Sequence, residues 1–326
     1  MIKGSFFLII LLVTIFIGCG NIEDPLDNKY WDVISDLDGD FNSLFFIDEN
    51  IGWVVGSSGR ILSTSDGGAN WIEQNSNITS NLRSVLFINE KTGFVSGDDQ
   101  TLLYTNDGGQ NWDRKIVISD SGKIFSSLHS DIEGNIWFIS NYGEIFNTSD
   151  FGNSWECKSN LNHWGFYYLF FSNSFSGIAM TLFGTHIYKT DDGGKTWKSV
   201  RTPVQWMGNV CFIDQNNGWI SDNWAPSSSI HETVAIYFTK DRGETWTKLS
   251  EFPGIDINNI VFVDNNNGWL TTITKIYHTQ DGGISWINQY DSEKKNIGYI
   301  TDMFFINSMD GWGLTSEGKI IRYIEK

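Results

Sequence analysis

Proline and cysteine are scarce in this 326-residue chain, which has four prolines and three cysteines. So little proline argues against a proline-rich or collagen-like chain. Three cysteines, one of them Cys19 near the N-terminus, are too few for a disulfide framework in a protein of this size. Cys157 and Cys211 show no metal-ligand spacing, and we expect both to be free thiols on strands.

Basic residues are also few. The chain has 22 lysines and arginines against 39 aspartates and glutamates, a formal net charge of -17. A field of this sign repels phosphate backbones, so no nucleic acid partner is predicted.

With 40% hydrophobic and 19% charged residues, the chain is able to build a large core and is too weakly charged to be disordered. Its length would ordinarily make two domains, although closed all-β architectures use as much chain in one.

No apolar run after residue 18 is long enough to span a bilayer, and the run before it is a targeting signal by its layout. Lys3 precedes the apolar run 5–17, which closes with Phe16-Ile17-Gly18-Cys19 and resembles a bacterial lipobox. We therefore predict a lipoprotein-type signal peptide over residues 1–18, lipid attachment at Cys19 and a polar tether over residues 19–28. The protein would then be exported and held in the cell envelope, on the periplasmic side or at the cell surface. The alternative is a plain signal peptide with a chance cysteine, because Phe16 and Ile17 are bulkier than the usual lipobox residues.

One short phrase, Thr-x-Asp-x-Gly-x-x-Trp, recurs six times in the rest of the chain, with a phenylalanine or arginine before the glycine in two copies. Its aspartates are 41, 43, 42, 49 and 40 residues apart, which indicates an internal repeat. The six are Asp66, Asp107, Asp150, Asp192, Asp241 and Asp281.

A second phrase occurs seven times and consists of an apolar strand, a polar turn and usually a glycine followed by an aromatic residue. Its turns end at Gly52-Trp53, Gly93-Phe94, Ile136-Trp137, Gly177-Ile178, Gly218-Trp219, Gly268-Trp269 and Gly311-Trp312. Each unit reads as four short strands, at the period of propeller blades. The last unit lacks a fourth strand, and the segment from Tyr30 resembles the strands that would supply it. We predict an all-β fold, a seven-bladed β-propeller of four-stranded blades over residues 29–326, closed by an N-terminal strand that completes the last blade.

The repeated aspartate has a structural explanation, because a carboxylate in a tight turn accepts hydrogen bonds from turn amides while glycine supplies positive φ. Six equivalent copies argue for architecture rather than catalysis. The five histidines show no short metal spacing, and the chain contains no glycine-rich phosphate loop and no nucleophile elbow. We therefore expect no metal site, no cofactor and no catalytic residue.

The repeated phrase is identified as the Asp-box, or bacterial neuraminidase repeat. Its pairing with the strand-turn-Gly-Trp phrase resembles the photosystem II assembly and stability factor family of seven-bladed propellers. The resemblance covers residues 29–326 and implies a propeller fold. Asp-boxes also occur in sialidases, xyloglucanases and sorting receptors, so fold alone does not imply function.

The photosynthetic members of the family are similar in being non-catalytic assembly factors that dock a membrane-protein precursor through an arginine-rich patch. This chain has only six arginines, and they are scattered among the blades: Arg60, Arg83, Arg114, Arg201, Arg242 and Arg322. The resemblance therefore implies an assembly-factor-like mode of action, and it does not extend to the photosystem as the partner.

Five aromatic residues outside the repeat predict a binding surface. The turns of the two phrases share one face of a propeller, and the opposite face carries the second-to-third-strand turns and the links between blades. Trp164, Phe166, Phe183, Trp206 and Trp224 fall in links and turns of the opposite face, on the fourth and fifth blades. We predict that they bind a protein segment or the apolar face of a sugar, with the protein acting as a monomer. The alternative is that these rings plug the central tunnel or cover blade edges.

A carbohydrate-active enzyme is the rival prediction. A sialidase-like site needs an arginine triad and a tyrosine nucleophile in one pocket. Arg60, Arg83 and Arg201 are on separate blades, and seven repeats disagree with the six blades of sialidases. A two-carboxylate glycoside hydrolase remains open, with no spacing that selects a pair among the loop candidates Asp222, Glu232, Asp256 and Asp291.

Overall fold

Seven four-stranded antiparallel sheets make up the protein in the computed structural model, which describes residues 30–117, 122–163, 165–181, 184–204, 207–222, 233–253, 257–295 and 297–324. The innermost strands are β2 (Phe41–Phe46), β6 (Leu82–Phe87), β10 (Phe125–Ser130), β14 (Phe166–Phe171), β18 (Met207–Phe212), β22 (Ile257–Phe262) and β26 (Ile300–Phe305). The second strands are β3 (Gly52–Gly56), β7 (Gly93–Gly97), β11 (Ile136–Ser140), β15 (Gly177–Thr181), β19 (Gly218–Asp222), β23 (Gly268–Thr272) and β27 (Gly311–Thr315). The third strands are β4 (Ile61–Thr64), β8 (Thr101–Thr105), β12 (Glu144–Thr148), β16 (His186–Thr190), β20 (Thr233–Thr239), β24 (Lys275–Thr279) and β28 (Lys319–Tyr323). The outer strands are β5 (Ile72–Gln74), β9 (Asp113–Arg114), β13 (Glu156–Asn160), β17 (Lys198–Arg201), β21 (Thr247–Pro253), β25 (Ile287–Asp291) and, for the seventh blade, β1 (Trp31–Asp36).

The two ends of the chain meet in the seventh blade. β1 pairs antiparallel with β28, with Trp31 opposite Tyr323 and Asp36 opposite Lys319. The prediction of a seven-bladed propeller closed by its N-terminal strand is confirmed. β1 covers the outward edge of β28, which would otherwise be unpaired. Helical structure in the described residues is limited to α1 (Ser292–Lys295) and one 3-10 turn (Ser57–Gly59).

An aromatic wedge joins five of the seven pairs of neighbouring blades, and it explains the glycine of the second phrase. The ring of Phe46, at the end of β2, stacks on Trp312 of the preceding blade with centroids 3.8 Å apart and meets Trp71 of its own blade edge-on. A β-carbon on Gly52 would lie 2.4 Å from the Phe46 ring, so only glycine fits opposite the wedge. The same stack recurs between four further pairs of blades: Trp53–Phe87, Trp137–Phe171, Trp219–Phe262 and Trp269–Phe305.

Blade 3 fills the same space in the opposite way. Where the other blades pair a phenylalanine with a glycine across the first two strands, blade 3 pairs Ser130 with Ile136, which is fully buried. Moving the bulk from one strand to the other preserves the packed volume, because protein interiors tolerate volume-conserving exchanges best. This exchange accounts for the single copy of the second phrase that lacks glycine.

Side chains also tie neighbouring innermost strands together around the central channel. All seven of these strands carry a register irregularity near their start. Backbone N–H groups beyond it donate to the preceding blade: that of Leu169 donates to Ser127 Oγ at 2.9 Å, and that of Leu44 donates to Asp302 Oδ2 at 3.0 Å. The bonds satisfy amides that would otherwise be unpaired at the inner edge of each sheet.

The two faces of the ring are built as the repeat predicts. The amide of Gly67, in an Asp-box, donates to the carbonyl of Asn50 in the first turn of the same blade at 2.8 Å. We call the face that carries the Asp-boxes and the first turns the Asp-box face. The opposite face, which carries the second-to-third-strand turns and the links between blades, is the variable face.

Candidate functional site

The carboxylate of each Asp-box aspartate accepts hydrogen bonds from its own turn. Asp281 accepts hydrogen bonds from Thr279 Oγ1 at 2.8 Å, from the amide of Ser285 at 2.9 Å and from Ser285 Oγ at 2.6 Å. Equivalent bonds hold the other five. Hydrogen bonds from the side chain and amide four residues later lower the pKa of Asp150 and of Asp192 to about 2. The boxes therefore hold ionised, fully engaged carboxylates, which is a structural arrangement.

Replacing one such carboxylate is expected to cost stability. In Asp281→Ala the three donors around the box lose their acceptor, and we expect the free energy of unfolding to fall by roughly 1–2 kcal/mol, as at a lost helix cap. Thermal and urea denaturation measure the change. Asp113→Ala, at an exposed position of outer strand β9, is the control and is expected to have little effect. Unchanged stability in Asp281→Ala would contradict a structural role for the box.

The aromatic residues predicted to bind a partner lie mainly outside the described residues: Trp164, Phe183, Trp206 and Trp224 do, as does the predicted lipid attachment site Cys19. The described chain around them belongs to one region of the variable face. The amide of Gly165 donates to the carbonyl of Asn141 in the adjacent blade at 2.7 Å, and Met207 pairs with Asp222. The four tryptophan and phenylalanine positions stay predictions.

Phe166, the fifth predicted residue, is buried. Its side chain is 2% exposed and belongs to the core cluster that contains Trp137 and Leu169. Its ring meets that of Tyr188 edge-on, with centroids 5.4 Å apart. In this structure Phe166 is therefore a packing residue at the start of β14, because its side chain lies in the core between blades 3 and 4, and its ring is not available to a partner.

The arginines named for a sialidase-like site lie on separate blades, and the side chains of two of them have partners near their own strands. Arg83 binds Asp98 through two bonds, at 2.9 and 3.0 Å. Arg60 pairs with Glu73 and also donates to a backbone carbonyl. Arg201 lies on the outer strand β17, opposite His186 of its own sheet. No described contact brings the three together, and within the described residues no group of three potential metal ligands is found.

The central channel is a further candidate, and sequence reasoning did not name its lining. A cavity of about 940 Å³ is lined by residues of all seven blades. Midway along the channel the lining is polar: Ser43, Ser84, Ser127, Tyr168 and Asp302. Nearer the Asp-box face it is apolar apart from one histidine, and we call these residues the apolar ring: Phe45, Leu86, His129, Phe170, Val261 and Phe304. Each of these residues is the third or the fifth of its innermost strand, so the strand alternation in the aligned repeats could have revealed them.

Burial shifts the pKa values of three ionisable side chains in and beside the channel toward their neutral forms. Burial raises the pKa of Asp302 to about 6, although its carboxylate accepts hydrogen bonds from the amides of Leu44 and Met303. Burial lowers the pKa of His129, whose Nε2 lies 2.8 Å from the carbonyl oxygen of Phe171. Burial raises the pKa of the Cys211 thiol to about 11, which makes it a poor nucleophile. Within the described part of the chain, the channel is a shaped cavity in which Asp302 and His129 are both buried and hydrogen-bonded.

No helix among the described residues is long and apolar enough to cross a membrane.

Comparison with known proteins gives one family and several structural neighbours. The family model described as photosynthesis system II assembly factor YCF48 matches residues 24–324. No curated protein matches the sequence significantly.

Among solved structures, YCF48 bound to a D1 peptide superposes with a TM-score of 0.75 at 20% identity, covering 92% of this chain and 96% of that chain. YCF48 from Cyanidioschyzon merolae superposes at 0.73 with 18% identity, covering 90% and 98%. The GH74 enzyme of Niastella koreensis reaches 0.69 at 13% identity and covers 89% of this chain but only 53% of the enzyme. At these identities the likeness shows the fold.

Proposed function

This chain belongs to the photosynthesis system II assembly factor YCF48 family, and we propose on that premise that it is a non-catalytic propeller that binds a segment of another protein. The observation that carries the proposal is the extent of the family match, which takes in every blade of the ring. A solved YCF48 structure contains a D1 peptide, so a propeller of this family binds peptide. The Asp-box carboxylates and the side chains of Arg60 and Arg83 already have hydrogen-bond partners within the chain, so this proposal places recognition on the aromatic residues of the variable face.

We propose the variable face of blades 4 and 5 as the binding surface, with Trp164, Trp206 and Trp224 as its aromatic residues. Aromatic side chains on neighbouring loops of a rigid scaffold supply large contact areas at low entropic cost. The insertion that contains Trp224 is the longest in the repeat. The scarcity of arginine distinguishes this surface from an arginine-rich docking patch, and the partner is accordingly expected to differ from that of the photosynthetic members.

The same proposal includes export and attachment through lipid at Cys19, with residues 19–28 as a tether and the propeller acting as a monomer. A lipid anchor would hold the variable or the Asp-box face near other envelope proteins. Cys19→Ser is expected to release the protein from the membrane fraction into the soluble envelope fraction. Retention of the Cys19→Ser protein in the membrane would contradict lipid anchoring.

The double variant Trp164→Ala, Trp224→Ala tests the binding surface. We expect it to reduce recovery of the crosslinked partner by about tenfold or more, because aromatic residues at the centre of an interface contribute most of its binding energy. The measurement is crosslinking and affinity purification of the tagged full chain from its own membranes, with mass spectrometry. The melting temperature is expected to change little.

Two results would contradict the proposal. A large loss of melting temperature in the double variant would show that the rings belong to the core. Release of reducing ends from a polysaccharide panel, abolished by substitution of a single loop carboxylate such as Asp222 or Asp291, would show a glycoside hydrolase instead. Ile284→Ser, an exposed apolar substitution on the opposite face, is the control for both measurements.

A further inference from the structure

The channel opens on the Asp-box face, away from the predicted aromatic surface. The residues that line the cavity at this end belong to first turns and an Asp-box of blades 2 and 3: Ile88, Asn89, Asp131, Ile132, Gly134 and Phe151. A second recess of about 470 Å³ shares His129, Ser130, Ile132 and Phe170 with it and extends the opening toward blades 4 and 5. The mouth is thus a continuous depression with Ile132 on its rim.

Blade 3 places an apolar side chain at this mouth by shifting its first turn. In the other six blades an Asp or Asn at the second turn position caps the turn, as when Asp48 accepts the amides of Asn50 and Ile51. In blade 3 the cap moves one residue earlier, and Asp131 accepts the amides of Glu133 and Asn135. Ile132 therefore takes the second position and is 86% exposed.

A second apolar side chain at the mouth is held on unfavourable backbone. Phe151 has φ +56°, a left-handed conformation, at an Asp-box position that is glycine in four of the six boxes. Arg242 occupies the same position in blade 5 with φ +59°. Its guanidinium donates to Asp191 and to the carbonyl of Thr190, and these bonds offset the cost of the left-handed backbone. The Phe151 ring is 55% exposed and lines the cavity. A non-glycine residue kept in this conformation points to a role outside the fold.

The charge of the face indicates what would bind there. The first turns and Asp-boxes are described in full, and they contain only four basic residues: Lys91, Lys195, Lys240 and Arg242. Sixteen carboxylates share these loops: Asp48, Glu49, Asp66, Glu90, Asp107, Asp131, Glu133, Asp150, Asp191, Asp192, Asp214, Asp241, Glu244, Asp264, Asp281 and Asp310. Turn hydrogen bonds lower the pKa of the box aspartates, so the face stays negative in mild acid. An apolar opening surrounded by negative charge is complementary to a cation-flanked apolar side chain.

We propose that the channel mouth on the Asp-box face binds a basic segment of a partner protein, which inserts one large apolar side chain between Ile132 and Phe151 into the apolar ring of the channel. The insertion buries apolar area at the centre of the contact, while the lysines or arginines of the segment lie against the surrounding carboxylates. This surface is separate from the variable face, and the proposal does not depend on the aromatic residues predicted there.

Three fluorescein-labelled peptides test the proposal against the full chain in non-ionic detergent by fluorescence anisotropy. They are Lys-Lys-Phe-Lys-Lys, the same peptide with serine in place of phenylalanine, and Glu-Glu-Phe-Glu-Glu. We expect measurable binding of the first peptide only, weakened severalfold when the salt concentration rises from about 50 to about 500 mM because exposed charges are screened. Equal binding of the acidic peptide, or no binding of the basic one, would overturn the proposal.

Phe151→Gly separates binding from folding. Glycine restores the residue of the other boxes and relieves the left-handed backbone, so the melting temperature is expected to rise or stay equal, while peptide affinity falls about tenfold. Ile132→Ser is expected to weaken the peptide similarly with an unchanged melting temperature. Ile284→Ser, at a 63% exposed box position of blade 6 that does not line the cavity, is the matched control and is expected to bind as the native chain does.

Unchanged affinity in both Phe151→Gly and Ile132→Ser would overturn the proposal. So would a concentration-dependent dimer that Ile132→Ser abolishes in analytical ultracentrifugation, because the occupant of the mouth would then be a second copy of this chain. Loss of Trp164 and Trp224 is expected to leave peptide affinity unchanged, so this surface and the one in the proposed function succeed or fail separately.

Discussion

Trp31→Ala is expected to lower the free energy of unfolding by about 3–5 kcal/mol, as large-to-small substitutions of buried aromatic residues do. Trp31 is 1% exposed, and its ring packs against those of Phe305 and Tyr323 with centroids 5.8 and 5.3 Å away. It is the main apolar residue on the strand that closes the ring. Its removal therefore weakens both the core of blade 7 and the pairing that joins the ends of the chain. Urea unfolding followed by circular dichroism measures the change.

The same strand provides the control for Trp31→Ala. Val33→Ala removes a side chain that is 46% exposed, and its effect is expected to stay within about 0.5 kcal/mol. Trp31→Phe, which keeps an aromatic ring in the wedge, is expected to fall between the two. If Trp31→Ala were as stable as Val33→Ala, the N-terminal strand would not be what closes the propeller.

Asp302→Asn is expected to make the protein more stable near neutral pH and to flatten its stability between pH 4 and pH 7. Burial raises the pKa of this carboxyl from 3.8 to about 6, so the folded state favours its protonated form. The resulting stabilisation is complete below about pH 4 and is lost as the pH rises through about 6. At 1.36 kcal/mol per pKa unit the loss is at most about 3 kcal/mol. Asparagine does not titrate, and its amide oxygen still accepts the Leu44 amide. Unfolding in urea from pH 4 to pH 8 measures the difference.

Asp264→Asn is the control of opposite sign. Hydrogen bonds from Asn266 and Asn267 hold this turn carboxylate, and its pKa is lowered despite partial burial. Its contribution is present above the unfolded pKa and is lost in acid, so the variant is expected to be less stable than the native chain at pH 7 and closer to it below pH 3.8. A parallel pH dependence in the native chain and Asp302→Asn would show that Asp302 is not the titrating group.

The repeat made most of the fold predictable. A turn carboxylate, a glycine and a tryptophan at fixed spacing report local hydrogen bonding and packing that each blade needs, so they recur where the blades do. The assignment of turns to the two faces followed from the antiparallel order of the strands, because the first and third turns of a blade lie on the same face. The glycine of the second phrase could be located in the sequence, but its reason was visible only when the Phe46 ring was seen against Gly52.

The site was less predictable. The sequence places Phe166 in a link between blades, where an aromatic residue is expected to be exposed, but it begins β14 and is buried in the core between blades 3 and 4. Ile132 and Phe151 carry no distinctive sequence signal, since each departs from the corresponding repeat position by a single residue. Both side chains are exposed beside one cavity that residues of all seven blades line, and neither turn shows this by itself.

The sequence by itself determined the number of blades, the strand that closes them and the structural role of the six Asp-boxes, because these depend on contacts that repeat at a fixed interval along the chain. Only the tertiary structure decided which side chains line the channel, how Asp302 reaches the amide of Leu44 across 258 positions of sequence, and where apolar residues meet an acidic face. Such contacts form when the ring closes and brings together segments that are distant in sequence. The type of each residue does not indicate which distant residue it will contact.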